Sequence, residues 1–464
     1  MSAKHVVAIG GSDAGISAAL RARELDPSSD VTVLLADGYP NFSICGIPYF
    51  LSGEVADWGD LAHRTMADLE ASGMHVVPWS TAVSIDAEQR RVGVCGRDGR
   101  LSEVAYDELI VATGADSVRP PIAGLRELGP DRGVFLLRSI GDARALMDDL
   151  SARQPGSAVI VGGGYTGLEM AEALMTRGVQ VTQIEALPQV LPTVDADLGA
   201  LIRAELALHG VEVLTGTTVA EVTTDAAGLT VRAKGPDGQN LVRTADVVLV
   251  VAGVRPNTAL AEGAGVRLGA RGAIAVDRQM RTSIPHMFAA GDCATTHHRL
   301  LGETWLPLGT TAHKQGRIAG ENALGGSRKF AGSLGTQVVK VFDLVAARTG
   351  LHTAGAAAAG RGWSPVDSLS VQDDHRRYYP GVSPITIKVT GDRDTGLLLG
   401  AQLVGHVGAE IAKRVDIYAT ALFHGMRIEE ISDLDLSYAP PLASTWDAVQ
   451  AAAQVWDREH QRLA

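Results

Sequence analysis

Short runs of β-branched and aliphatic residues recur along the chain, each followed by a glycine-bearing turn and then by a stretch with helical spacing of its apolar positions. VVAI at 6–9, VTVLL at 31–35, VIV at 159–161 and VVLVV at 247–251 are continuous rather than alternating, the pattern of strands covered on both faces. Between the first two lies ISAALRARELD (16–26), which reads as an amphipathic helix. Strand, turn, helix and strand make the repeating unit of parallel sheets, so the pattern predicts an α/β protein.

With 464 residues the chain is too long for one core, and about three domains are expected. No apolar run reaches the length of a membrane span and no charged-then-apolar leader opens the chain, which predicts a cytoplasmic protein with no membrane partner. A formal net charge of -12, with no segment rich in Lys and Arg, excludes nucleic acid as a partner and leaves small-molecule chemistry. Cys45, Cys95 and Cys293 are scattered, forming neither a disulfide framework nor a metal knuckle. No metal is expected, and any redox work falls to one thiol at a time. Cys95, in the strand-like RVGVCG, is expected to be buried, and the adjacent His297 and His298 to face solvent.

Two of the turns carry dinucleotide-binding patterns. In HVVAIGGSDAG (5–15), Gly10 and Gly11 permit the turn and Gly15 permits close packing of helix on strand, while the helix N-terminus around Ser12 and Asp13 offers free N–H groups to a pyrophosphate. Ser12 replaces the middle glycine. Leu35 stands where an acid should hold a ribose, and Asp37 is the nearest substitute. The second pattern, SAVIVGGGYTGLEMAEALMTRGVQVTQIE (157–185), is complete, with Gly162, Gly164 and Gly167 in the turn and Glu185 at the end of the next strand. Glu185 would accept both ribose hydroxyls and repel a 2′-phosphate, so NADH is expected over NADPH.

Two such patterns fit either a duplicated dehydrogenase or a flavin site beside a nicotinamide site. Three further stretches favour the second. YDELIVATGADSVRPPIAGL (106–125) ends a strand in Thr113 and Gly114, VVLVVAGVRPNT (247–258) is a similar strand and turn with Gly253, and TSIPHMFAAGDCATTHH (282–298) places Gly291 and Asp292 after a strand, where a carboxylate can accept the hydroxyls of a ribityl chain.

ATG at 112–114, GGGYTGLE at 162–169, AAGDC at 289–293 and LPLGTTAHKQGRIAGEN at 306–322 occur in the order found in the pyridine nucleotide-disulfide oxidoreductase family, and the chain resembles that family over essentially its whole length. The resemblance implies a glutathione reductase-like fold: two Rossmann-like dinucleotide-binding domains and a C-terminal α+β dimerisation domain. It places FAD in 1–118 and 244–330, NAD(P)H in 119–243 and a homodimer interface in 331–464. It also implies that the helix beginning near Thr311 and Ala312 points its positive end at a reduced flavin, and that Glu169 helps to arrange the nicotinamide pocket.

NFSICGIPYF (41–50) now finds a place. Cys45 would start a helix beyond the second strand, with Pro48 in its first turn, and a thiol at a helix N-terminus beside a flavin is suited to electron exchange. Family members with a redox dithiol carry CxxxxC here, but the partner position is Phe50, so the chain resembles the single-cysteine branch of coenzyme A-disulfide reductases, persulfide reductases, NADH oxidases and NADH peroxidases. Asp13 stands where the oxidases and peroxidases have His. HRRYYPG (375–381) and LDLSYAPPLASTWD (434–447) resemble the reductase type, which implies that Tyr438 and one of Tyr378 and Tyr379 reach the cysteine of the other subunit. Asn41, Ser43 and His313 fall on the substrate side, although Asn41 and Ile44 replace the Ser and Asn common in relatives that handle coenzyme A. The expected activity is reduction of a small-molecule disulfide or persulfide by NADH through FAD and Cys45. The alternatives are reduction of oxygen or peroxide through a Cys45 sulfenate, and electron transfer to a partner protein.

Overall fold

The computed structural model describes residues 4–225 and 228–460. Contacts divide the chain into two compact units, Met1–Val118 with Arg138–Arg144 and Gly253–Ser333, and Arg119–Leu137 with Ala145–Ala252 and Leu334–Ala464.

In the first unit, five parallel strands lie in the order Met287–Ala289, Glu108–Val111, His5–Ile9, Asp30–Leu34, His75–Val77. Successive side chains of a strand point to opposite faces. Val6 and Ala8 therefore join Ile16, Ala18 and Ala319 under the helices, while Val7 and Ile9 pack with Val92 and Val94 of an antiparallel sheet, Ser80–Asp86, Arg91–Gly96 and Leu101–Ala105. Both faces are covered, which is why these strands read as unbroken apolar runs. The helix Asp13–Leu25 lies against the helix Gly309–Ala323 at backbone contact. A Cβ on Gly316 would come within 2.2 Å of the Ala14 carbonyl oxygen, and one on Gly320 within 2.1 Å of that of Ala18. Only glycine permits this approach.

The second unit contains another parallel sheet, Glu212–Leu214, Gln180–Ile184, Ser157–Val161, Val247–Val250, Val134–Leu136. The sequence assigns Val247–Val250 to the returning part of the first domain. The structure corrects this: Ala158 pairs with Val247 in parallel register, so the crossing back comes after Val250. The C-terminal part forms an antiparallel sheet of Gln337–Val341, Leu344–Gly350, Leu398–His406, Pro384–Asp392 and Pro365–Asp373. The helices Ile411–His424 and Ala448–His460 bury Tyr418 and Trp456, whose indole would meet a Cβ on Gly391 at 2.6 Å. The observed architecture is therefore two Rossmann-like sheets with a C-terminal α+β part. Among the described residues, no helix is long and apolar enough to cross a membrane.

Candidate functional site

The strands His5–Ile9, Glu108–Val111 and Met287–Ala289 are parallel neighbours, so the loops leaving their C-terminal ends converge. Open α/β sheets bind their ligands at that end. Gly10 has φ +117°, and a Cβ there would meet the Ala112 carbonyl oxygen at 2.1 Å; one on Gly15 would meet the Gly10 carbonyl oxygen at 1.9 Å. Ser12 caps the helix Asp13–Leu25 without a side-chain capping bond, leaving its first-turn N–H groups for an anion. Around this turn stand Thr113, whose hydroxyl donates to the Asn257 carbonyl at 2.6 Å, and Gly114, whose carbonyl accepts from Asn257 N–H at 3.0 Å. Gly253, at φ +98°, accepts from Val118 N–H. A Cβ on Gly291 would touch the Cβ atoms of Ala14 and Ala312, at 2.8 and 3.6 Å. Asp292 accepts from the Arg138 guanidinium at 2.7 Å, and burial pushes its carboxyl above the usual range against the pull of that arginine. Thr311 and Ala312 are buried in the first turn of Gly309–Ala323, which also lacks a side-chain cap. This cradle fits the pyrophosphate and polyol of a flavin dinucleotide.

The second turn repeats the first. Gly162 has φ +124°, a Cβ on Gly167 would meet the Gly162 carbonyl oxygen at 2.2 Å, and Gly164 faces open space. Gly10 N–H donates to Leu34 and Gly162 N–H to Ile184, which makes Leu35 and Glu185 counterparts. The Glu185 carboxylate accepts from Gly163 N–H at 2.6 Å and Leu187 N–H at 2.7 Å. Leu35 instead presses a methyl against Gly11, 2.6 Å from where a Cβ would be. Asp37 turns back to accept from Tyr39 N–H at 2.9 Å, and burial raises its pKa. Glu169 lies in the helix Tyr165–Thr176 with its pKa raised to about 7, chiefly by burial and then by Glu172, while Lys340, paired with Glu172, opposes the shift.

Cys45 is exposed in the single turn Ile44–Gly46, directly ahead of the helix Ile47–Ser52 and its Pro48. The loop is pinned on both sides. Ser43 N–H donates to Leu61, His63 N–H to Asn41, and Asn41 N–H to Gly11 at 2.7 Å. Phe50, at the position of a second cysteine, is a core side chain. Beside this loop lies a cavity of ≈ 220 Å³ lined by Ser17, Asn41, Arg64, His313, Glu24 and Arg317, among others. Asn41 is buried, and its Oδ1 has no hydrogen-bond partner among the described residues. The His313 imidazole is 2.8 Å from the Ser17 hydroxyl and 3.3 Å from the Asp13 carboxylate, and Asp13 raises its pKa against burial and Arg64.

Tyr378, Tyr379 and Tyr438 are exposed in the C-terminal part. Arg376 lies 5.7 Å from the Tyr438 ring centroid, and its hydrogen bond, then that of Tyr378, lowers the Tyr438 pKa. The remaining thiols are elsewhere: Cys293 is buried in the core with its pKa raised by burial, and Cys95 is half-buried rather than buried. His298, expected in solvent, is buried in a strand that pairs with Gly302–Thr304, its Nδ1 accepting from Leu300 N–H. Ser17, His63, Arg64 and Arg138 carry no local motif and emerge only from the folded arrangement.

The family described as pyridine nucleotide-disulphide oxidoreductase matches residues 4–316, and its dimerisation domain matches residues 336–449. The NADH oxidase of Methanocaldococcus jannaschii is 33% identical over 453 residues, covering 97% of this chain and 98% of that one. The NAD(P)H coenzyme A polysulfide/persulfide reductase of Pyrococcus horikoshii is 32% identical over 460 residues, with the same coverage. Among solved structures, an NAD-dependent persulfide reductase from A. fulgidus superposes with a TM-score of 0.92 at 35% identity, over 98% of this chain and 83% of that one. The chain therefore belongs to the pyridine nucleotide-disulphide oxidoreductase family of NAD(P)H-dependent flavoenzymes.

Proposed function

We propose that this enzyme uses NADH to reduce a small-molecule disulfide or persulfide, with Cys45 as its one redox thiol. The observation that carries the proposal is an exposed cysteine on a loop hung from the first glycine turn by the Asn41 to Gly11 hydrogen bond. Bound FAD would accept hydride from NADH and deliver two electrons to sulfur, the protein supplying position and charge.

Gly10, Gly11, Ser12, Asp13 and Gly15 would hold the FAD pyrophosphate, Asp292 its polyol and Asp37 its adenosine side, with Thr113, Gly114, Gly253 and Gly291 lining the approach. The helix end at Thr311 and Ala312 would stabilise negative charge there. Gly162, Gly164 and Gly167 would hold the NADH pyrophosphate, and Glu169 would order the nicotinamide pocket. The Glu185 carboxylate, braced by two amides, would select NADH by repelling a 2′-phosphate.

The Cys45 thiolate attacks a disulfide RSSR, forming the mixed disulfide and expelling one thiolate, which takes a proton. Two electrons and a second proton then release the other RSH and restore the thiolate, so RSSR + NADH + H⁺ gives 2 RSH + NAD⁺. Asn41, Ser43 and His313 lie on the acceptor side. In a homodimer, Tyr438 of the partner subunit, with one of its Tyr378 and Tyr379, would donate O–H to the departing sulfur. The name of the Pyrococcus relative makes coenzyme A polysulfides and persulfides the first acceptors to try, and coenzyme A disulfide, for which a Staphylococcus aureus relative is named, stands beside them. The absence of a disulfide among the described residues agrees with a reducing, cytoplasmic setting.

Cys45→Ser should keep FAD and its reduction by NADH while abolishing disulfide turnover; unchanged turnover would remove the thiol from the reaction. Rapid NADH oxidation under air without added disulfide would favour the oxidase activity for which the Methanocaldococcus relative is named.

A further inference from the structure

Asp13, His63 and His313 come from three distant stretches of the chain, yet one ligand atom of each lies within 4.8 Å of the other two. One pair already stands at ligand spacing, and the exposed His63 ring lies close enough to turn onto the same ion. Nε2 of His313 stands 3.3 Å from Oδ1 of Asp13, longer than the roughly 2.8 Å of a strong charge-assisted hydrogen bond. Two ligands each about 2.05 Å from a tetrahedral ion are separated by about that distance.

The surrounding contacts fix the His313 ring and the backbone of the other two residues. Nδ1 of His313 is 2.8 Å from the Ser17 hydroxyl, which fixes the ring and leaves Nε2 as the nitrogen facing the other two groups, the arrangement in which an outer partner orients a metal-bound imidazole. Asp13 is anchored in the first turn of its helix, and Gly309 lies so close that a Cβ there would be 3.1 Å from Asp13 Oδ2. The backbone of His63 is pinned by its N–H on the Asn41 carbonyl, and its exposed ring meets that of His313 edge-on, at 6.3 Å and 70°, rather than stacking on it. Arg64 acts on His313 as a cation, and the Asp13 carboxylate offsets it.

We propose that Asp13, His63 and His313 form a binding site for one zinc-class divalent ion, with a fourth position open to solvent. Two imidazoles and one carboxylate suit Zn²⁺ or Co²⁺ and are too few and too nitrogen-rich for Ca²⁺ or Mg²⁺. The other group of similar composition, Glu205, His209 and Asp343, is committed otherwise: the His209 ring lies flat on Phe342 at 4.0 Å and Asp343 N–H occupies Glu205. It serves as an internal control.

The test uses untagged, FAD-loaded Cys45→Ser protein, so that the exposed thiol cannot act as the ligand and no disulfide turnover enters the readout. Co²⁺ titration should saturate at one ion per chain with visible ligand-field absorption, and Zn²⁺ should abolish that signal by displacement. Adding His63→Ala, on the exposed loop, or Asp13→Asn should weaken binding by at least about tenfold, whereas adding His209→Ala should leave it unchanged. Flavin content and far-UV dichroism report that each variant is folded. Absence of saturable binding, or binding that survives His63→Ala, would overturn the site. Either result would leave the disulfide reaction of Cys45 standing, since that reaction is measured separately with the thiol intact.

Discussion

The backbone N–H of Asn41 donates to the Gly11 carbonyl at 2.7 Å, so the loop that presents Cys45 is suspended from the first glycine turn. Asn41 adopts φ +56°, a left-handed conformation that asparagine and glycine tolerate and alanine resists. Asn41→Gly should therefore stay near wild-type stability, while Asn41→Ala should cost about 1 kcal/mol. Denaturant midpoints of the two variants check this. Equal loss in both would show that the side chain, not the backbone, is what the loop needs.

The close approach of the two helices makes a second prediction. Gly320→Ala places a methyl 2.1 Å from the Ala18 carbonyl oxygen, a backbone atom that yields only if the helices separate. A cost of about 1–3 kcal/mol is expected, together with a lower flavin-to-protein absorbance ratio, because the same helices position Gly15 and Ala312. A variant with full flavin content and an unchanged melting temperature would contradict it.

Nucleotide choice should turn on Glu185. Glu185→Ala removes the carboxylate that takes Gly163 and Leu187 N–H, so the ratio of kcat/KM for NADH to that for NADPH should fall by about tenfold, or about 1.4 kcal/mol. Steady-state kinetics with both nucleotides give the answer.

Glu169 carries a pH signature. Its folded-state pKa, about 7, lies above its ordinary 4.5. Between those values the folded protein holds a proton that the unfolded chain releases, so the stability it contributes is complete at about pH 4.5 and below and is lost as pH rises through about 7. Glu169→Gln should match the wild type near the lower end of that window and exceed it above the upper end, by on the order of 3 kcal/mol. Denaturant unfolding without nucleotide at the two ends measures the difference; a variant with no pH-dependent gain would contradict the buried acid.

Much of this was legible in the chain because it is local. A buried strand, a glycine that must turn and a helix start are set by neighbours within a dozen residues, so both glycine turns and the loop carrying Cys45 stand where the spacing puts them. Leu35 already betrayed the missing ribose acid. What stayed hidden depends on distant pairing. His298 lies in a strand that also bridges to the remote Ser333, and Val247–Val250 belongs to the second sheet only because Ser157–Val161 lies beside it. In the sequence Asp13 is only the residue standing where the oxidases and peroxidases have His. Its partner His313 reaches it through the glycine contacts of two helices remote in sequence, a relationship that neither periodicity nor spacing encodes.

Intact-mass spectrometry with peptide mapping shows whether electrons leave through a covalent adduct on Cys45. The enzyme is exposed to coenzyme A disulfide or a smaller disulfide without NADH, and then to NADH. The expected result is a mass increase of one thiol per chain, located on Cys45, that disappears when NADH is added and two equivalents of thiol have been released. Continued disulfide reduction with no adduct on Cys45, or an adduct that NADH leaves in place while turnover proceeds, would contradict it.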